Sequence, residues 1–88
     1  MKLAKFRAKY MTRLQELKQS LLSQYPERRE RIEYICDLLM NKLANLRTHT
    51  LADYIHTLHL ATKEFSEFKE LIPSAKEVEE LLKGTEGE

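Results

Sequence analysis

Apolar residues in the first part of the chain recur with the period of an α-helix. They stand three or four positions apart, at Leu3, Phe6, Tyr10, Leu14, Leu17 and Leu21. This spacing puts them on one face, so the pattern predicts an amphipathic helix over about residues 2–24. The stretch "SQYPER" follows it. Pro26 cannot continue that helix, but it suits the first turn of a second one.

The second segment is apolar over a wider arc. Its regular apolar positions are Ile32, Ile35, Leu39, Leu43 and Leu46. They predict a second helix over about residues 26–47. Leu38 and Met40 fall on either side of this apolar face, so we expect the helix to contact two partners. Leu38 and Met40 are therefore the candidate protein interface.

The third segment has the most regular pattern of the chain. Its apolar residues alternate spacings of three and four, at Leu51, Tyr54, Leu58, Ala61, Phe65, Phe68 and Ile72. This heptad-like repeat predicts a helix over about residues 51–71 that packs on another helix at a shallow angle. Thr50 is expected to cap it by accepting from the amide of Asp53, and Pro73 ends it.

A short fourth helix is expected over about residues 75–83. The stretch "SAKE" has the pattern of a capping box, and Val78, Leu81 and Leu82 supply an apolar side. Gly84 is expected to end this helix. Residues 1–84 then form one helical domain, and residues 85–88 form a frayed tail.

These elements predict an all-α fold. Glycine and proline total only four in 88 residues, which argues against a β-sandwich or barrel with its frequent turns. Because the connections are short, neighbouring helices should be antiparallel. We expect three long antiparallel helices in an up-down-up bundle plus a short C-terminal helix. A dimer of helical hairpins satisfies the same pattern, so the oligomeric state stays open.

Two histidines one helical turn apart raise the question of a site. His56 and His59 lie opposite the apolar face of the third helix, so we expect them to be exposed. Two imidazoles fall short of the ligand set of a structural metal, and no metal or cofactor is predicted. "HTLHLAT" loosely resembles the signature of histidine-phosphotransfer domains. Those domains have a basic residue and a glycine where this chain has His59 and Leu60, so this interpretation is rejected.

Motifs of catalysis are missing from the sequence. It contains no glycine-rich phosphate loop, no GxSxG and no HExxH. Its single cysteine, Cys36, cannot form an internal disulfide and falls at the edge of an apolar face. We expect no enzymatic activity and no small-molecule substrate. The chain is expected to be cytoplasmic, and no apolar stretch approaches the roughly 18 residues of a membrane span.

The charges are distributed unevenly along the chain. Residues 1–31 carry nine basic and three acidic side chains, and residues 48–88 carry four basic and nine acidic ones. Three arginines, Arg28, Arg29 and Arg31, are expected to face Glu64, Glu67 and Glu70 and to be neutralised. The candidate surface for nucleic acid or another anion consists of Lys2, Lys5, Lys9, Arg13, Lys42 and Arg47.

Two functions fit this sequence. The first is a small non-enzymatic binding or regulatory protein that acts through protein contacts, including self-association. The alternative is a nucleic-acid-binding protein that uses the basic surface, and this function would show a steep loss of affinity with salt.

Overall fold

The computed structural model describes residues 2–83, with the side chains of residues 3–83. Within this range the fold is all-α, without a strand. The α-helices are α1 Lys2–Gln24, α2 Arg29–Ala44, α3 Leu51–Thr62 and α4 Ala75–Lys83. Shorter 3-10 helices are formed by Pro26–Arg28, Thr48–Thr50 and Ser66–Leu71. The predicted helix end at Gly84 and the predicted tail, residues 85–88, lie outside the described residues.

The first and last helices agree with the sequence. α1 and α4 have the expected bounds. The Oγ of Ser74 accepts a hydrogen bond of 3.1 Å from the amide of Glu77, which confirms that Ser74 caps α4.

The second helix is shorter than predicted. Pro26 starts a 3-10 turn rather than an α-helix, and α2 ends at Ala44. The Asn45 side chain donates to the Asn41 carbonyl over 2.9 Å, a bond that competes with continued helix. The Leu46 carbonyl accepts instead from the Arg7 guanidinium of α1, at 2.8 Å. Leu46 is nevertheless buried, as its place in the apolar pattern indicates.

The prediction of one continuous third helix is wrong. α3 ends at Thr62, and Phe65 has an extended backbone before the 3-10 helix Ser66–Leu71 begins. Phe65, Phe68 and Leu71 stand three positions apart and are buried, whereas Ile72 is only half-buried. A 3-10 helix has three residues per turn, so this spacing aligns Phe68 and Leu71 on its inner side, and Phe65 is buried just before it.

The predicted cap of α3 is also wrong. The Thr50 side chain makes no capping bond to α3. Its hydroxyl instead accepts from the Arg47 amide at 2.9 Å and donates to the Arg47 carbonyl at 3.1 Å. These two bonds hold the turn between α2 and α3 together.

One core joins the described elements. α1 packs against α2, α2 packs against α3, and the 3-10 helix Ser66–Leu71 packs against both α1 and α3. The largest fully buried side chains include Tyr54, Phe68, Leu14, Leu39 and Leu58. Long-range polar contacts follow the same pairs, with Lys18 on Asp37 and Arg31 on Glu64.

Candidate protein-binding groove

An apolar groove of about 400 Å³ lies between α3 and α4. Its apolar lining consists of Leu51, Ala52, Ile55, Val78 and Leu82. Thr48, His56 and His59 complete the lining. We call this set of residues the α3–α4 groove.

The groove exists because α3 has a second apolar face beside its core face. Tyr54 and Leu58 are buried in the core, and Ile55 follows Tyr54 by about 100° around the helix. Ile55 is half-buried, and Ala52 and His59 share its side of α3 because they stand three and four positions away.

Helix α4 supplies the other wall through two adjacent leucines. Leu81 is buried, whereas Leu82 is 51% exposed and lines the groove. Consecutive residues of a helix point about 100° apart, so only one of the two can enter the core. Leu60 of α3 is exposed to nearly the same extent, 48%, but it lies outside the groove.

The two histidines lie at this groove and face solvent. Both His56 and His59 are exposed, as the sequence predicts. Within the described residues, no group of three histidine, cysteine, aspartate or glutamate side chains is arranged to hold a metal ion. The groove can bind through apolar contact, with two imidazoles available as hydrogen-bond partners or, when protonated, as cations.

The interface predicted from the second helix occupies a different place. Leu38 and Met40 of α2 are both half-buried, and Met40 packs against the core. Neither residue lines the α3–α4 groove. The structure therefore adds an apolar groove at a different place from the candidate interface on α2.

The predicted basic surface divides into paired and unpaired cations. Lys9 forms an ion pair of 3.2 Å with Glu77, and Lys42 forms one of 2.6 Å with Asp53. Among residues 3–83, no carboxylate forms an ion pair with Lys5, Arg13 or Arg47. The Lys2 side chain lies outside the described part of the chain.

Aromatic residues beside this basic surface face inward. Phe6 and Tyr10 are buried, with ring centroids 4.5 Å apart. They are therefore not available to stack on nucleic-acid bases.

Helix α4 brings acidic side chains to the basic face of α1. Glu77 accepts a hydrogen bond of 2.7 Å from the Tyr10 hydroxyl in addition to its contact with Lys9. Burial, and then the bond to Glu77, raise the pKa of Tyr10 to about 12, and nearby Arg13 partly offsets this. Glu80 lines the same region as Lys5. The charge asymmetry of the sequence is thus partly neutralised within the fold.

The three arginines near the start of α2 are only partly paired as predicted. Arg31 contacts Glu64 at 2.9 Å, which confirms one expected pair. Arg29 instead pairs with Glu33 on its own helix, and the Arg28 guanidinium lies 4.5 Å from the centre of the Phe65 ring. Glu67 accepts from the Tyr25 hydroxyl at 3.1 Å.

The single cysteine is part of the core. Cys36 is fully buried, and burial is the main reason that the pKa of its thiol is raised to about 11. The charge of Lys18 lowers this pKa and that of Asp37 raises it, both by less than burial does. A thiol with such a pKa is almost entirely protonated near neutral pH and is a poor nucleophile.

The groove residues Ile55, Val78 and Leu82 were not singled out as a site from the sequence. A signal was present in the adjacent apolar pairs Tyr54–Ile55 and Leu81–Leu82. Each pair has one member too many for a single narrow apolar face, so one of the two must be directed elsewhere.

Comparison of the chain with protein-family models, with curated proteins and with solved structures finds no match. Among the helices of the described residues, none combines the length and the apolar character that crossing a bilayer requires.

Proposed function

We propose that this chain is a small non-enzymatic protein-binding module, and that its α3–α4 groove takes an amphipathic helix of a partner protein. The observation that carries the proposal is the apolar groove itself, whose lining includes the half-exposed Leu82. Exposed apolar surface that forms a concave site is a common feature of protein interaction sites.

The shape of the groove supports a helix as the occupant. Both walls are helices, and each presents apolar side chains four positions apart, with Leu51 and Ile55 on one and Val78 and Leu82 on the other. An amphipathic helix places its own apolar residues three and four positions apart, so it can lie against such walls.

Two imidazoles at the groove support a partner helix with carboxylates on its polar edge. His56 and His59 stand side by side on α3 and both line the groove. A carboxylate on the polar edge of the partner helix would accept hydrogen bonds from these imidazoles. Lys83 of α4 is already paired with Glu79 at 2.8 Å.

The module is proposed to be an up-down-up bundle that holds the groove in place. Contacts of α1 with α2 support this, because Arg7 reaches Leu46 whereas Lys18 reaches Asp37. Contacts of α2 with α3 and with the residues just after α3 have the same order, with Arg31 on Glu64 and Lys42 on Asp53. In both cases, the later residue of the first helix meets the earlier residue of the following segment, which is the order expected of antiparallel neighbours.

The test compares two leucines of similar exposure. Leu82→Asp places a charge in the groove, and Leu60→Asp places the same charge on α3 outside it. Each variant and the unchanged chain, carrying the same affinity tag, are used to capture partners from cells of the source organism, with quantification by mass spectrometry. We expect a protein with an acidic amphipathic helix that is retained by the unchanged chain and by Leu60→Asp but lost with Leu82→Asp.

Equal capture by both variants would contradict binding at the groove. Circular dichroism of both variants checks that the comparison is between folded proteins. Enrichment of the untagged form of the chain itself, lost in the same way, would identify a second copy as the occupant.

Nucleic-acid binding through the basic surface is the second candidate function. It is favoured by the absence of an ion pair for Lys5, Arg13 and Arg47 within residues 3–83. Three observations weaken it: Glu77 engages Lys9, Asp53 engages Lys42, and the neighbouring aromatic rings are buried. For this reason we place protein binding first.

A further inference from the structure

Helix α4 is attached to the rest of the fold through a small set of contacts. It has nine residues, and Leu81 is the one buried residue within it. Ser74, the residue directly before α4, caps its first turn, and Glu79 and Lys83 form an ion pair within the helix. Helix α4 thus satisfies much of its own local structure and depends on few contacts for its position.

The surface beneath α4 is complementary to it in charge and polarity. Lys5, Phe6, Lys9 and Tyr10 of α1 form this surface, which we call the α4 docking site. Glu77 accepts from both Lys9 and Tyr10, at 3.2 and 2.7 Å. Glu80 and Leu81 line the same region, which encloses a further groove of about 200 Å³. The site therefore fits an acidic helix with a leucine four positions after a glutamate.

A short segment connects α4 to the core. Ile72 has an extended backbone and Pro73 follows it, so the chain leaves the 3-10 helix Ser66–Leu71 in a non-helical conformation. Because Pro73 is buried and Ser74 is exposed, rotation at the junction of these two residues would carry α4 away as a unit. Regions with few buried contacts open more readily than the core, so α4 is the element best suited to detach.

We propose that the α4 docking site also takes α4 of a second copy of this chain, in a reciprocal exchange that forms a dimer. The second copy carries the one helix whose fit to this site is visible in the fold. Exchange keeps every contact of Glu77 and Leu81 and only changes the chain that supplies them, which is the usual basis of domain swapping. This inference goes beyond the proposed function and is independent of the partner bound in the α3–α4 groove.

Exchange has a consequence for that groove. Helix α4 supplies Val78 and Leu82 to its lining, and α3 supplies the remainder of its apolar residues. In the exchanged dimer each groove is therefore built from two chains. The dimer keeps two complete grooves rather than losing them.

The test reverses one charge on each side of the contact. Lys9→Glu places two carboxylates together within one chain, and Glu77→Lys places two ammonium groups together. When the two variants are mixed, exchange of α4 between them places opposite charges together at both sites, which neither variant can do alone. The first variant's site, now carrying glutamate, receives the second variant's α4 with lysine, while the second variant's site keeps Lys9 and receives an α4 that keeps Glu77.

The measurement is native mass spectrometry after the variants are unfolded and refolded together, with one of them labelled with nitrogen-15. We expect heterodimers as the main dimeric species in the mixture, and monomers when each variant is refolded alone at the same concentration. A mixture that stays monomeric would overturn the proposal. Homodimers as abundant as heterodimers would overturn it too, because the dimer would then not depend on the α4 docking site.

Two controls guard against loss of folding. The double variant Lys9→Glu with Glu77→Lys restores opposite charges within one chain, and its thermal unfolding shows whether the reversed contact forms. If a single reversal prevents folding, the same design is applied to Lys5→Glu and Glu80→Lys, which lie in the same region. The same outcomes of mixing then support or overturn the proposal.

Discussion

Tyr10 combines two roles that normally belong to different residues. Its ring is buried against Phe6, and its hydroxyl donates to Glu77 of α4. A buried hydroxyl needs a partner, and here the partner is a carboxylate from the far end of the described chain. One side chain therefore links core packing to the placement of α4.

The raised pKa of Tyr10 predicts a pH dependence of stability. The pKa of Tyr10 is about 12 in the folded chain and 10.0 ordinarily. Below about pH 10 the group is protonated in both states, so it makes the free energy of unfolding neither rise nor fall with pH. Between those two values the unfolded chain loses the proton first, so the free energy of unfolding falls as pH rises. We expect this fall to be smaller in Tyr10→Phe, as measured by urea denaturation at several alkaline pH values.

Tyr54 and Cys36 are also buried with raised pKa values, and both remain in the variant. The contribution of Cys36 cancels in the comparison. Burial is the larger cause of the raised pKa of Tyr54 and also remains, whereas the smaller contribution of Tyr10 to that pKa is lost, which acts in the same direction as the loss of Tyr10 itself. Identical pH profiles for the two proteins would mean that Tyr10 does not keep its proton through burial and Glu77.

At the scale of elements, the segment after α3 depends on a period of three rather than 3.6. Phe68 and Leu71 are buried along one side of the 3-10 helix Ser66–Leu71, and Phe65, three positions before Phe68, is buried just ahead of it. A heptad reading of the same stretch selects Ile72 instead of Leu71. The two interpretations differ in which of two adjacent residues belongs to the core.

Alanine substitutions at these adjacent positions distinguish the two interpretations. Leu71→Ala should lower the free energy of unfolding by about 2–5 kcal/mol, because it removes a buried side chain and leaves a cavity. Ile72→Ala should cost less, since Ile72 is half-buried. Urea denaturation measures both, and a larger loss for Ile72→Ala would support a continuous α-helix instead.

Helix type at this point could not be derived from the sequence. Apolar spacing identified the buried faces of α1, α2 and α3, because burial follows the pattern directly, and the capping pattern identified the start of α4. It did not identify where α3 ends, since no glycine or proline stands near Thr62. Phe65 packs against Tyr25 with ring centroids 5.6 Å apart and against Phe68 at 6.3 Å. The contact with Tyr25 joins distant parts of the chain, and spacing within one segment does not reveal it.

The groove was hidden for a related reason. Its walls come from α3 and α4. Apolar spacing describes the faces of one helix at a time, so it does not show how these two helices are placed relative to each other. The exposure of His56 and His59 could be predicted, whereas their position at an apolar groove could not.

At the scale of the whole molecule, the net charge of +1 conceals an internal arrangement. The basic first helix meets the acidic last helix, and ion pairs such as Lys9–Glu77 bring the two halves of the charge distribution together. Lys5 and Arg13, which form no ion pair within the described range, share a face of α1. Position rather than total charge should therefore decide any binding of polyanions.

Two charge-matched double variants test this expectation. If the chain binds a single-stranded oligonucleotide, Lys5→Gln with Arg13→Gln should lower the slope of log affinity against log salt by up to about two units. Arg28→Gln with Arg29→Gln should change it much less, because Arg29 is paired and Arg28 lies on Phe65. Fluorescence anisotropy at increasing salt measures both, and equal reductions would mean that only the total charge matters.

The contact between Glu77 and α1 also sets an order of events during synthesis. It joins residues 67 and 68 positions apart, whereas α1 reaches Asp37 of α2 across 19 positions and Leu46, just after α2, across 39. A ribosome delivers the chain from its N-terminus, so α1 can pair with α2 well before Glu77 has been made. Throughout that interval Phe6 and Tyr10 lack the cover of α4. Neighbouring ribosomes on one messenger RNA would then hold several nascent chains close together. In each of these chains the α4 docking site would be uncovered until its own α4 has been synthesised.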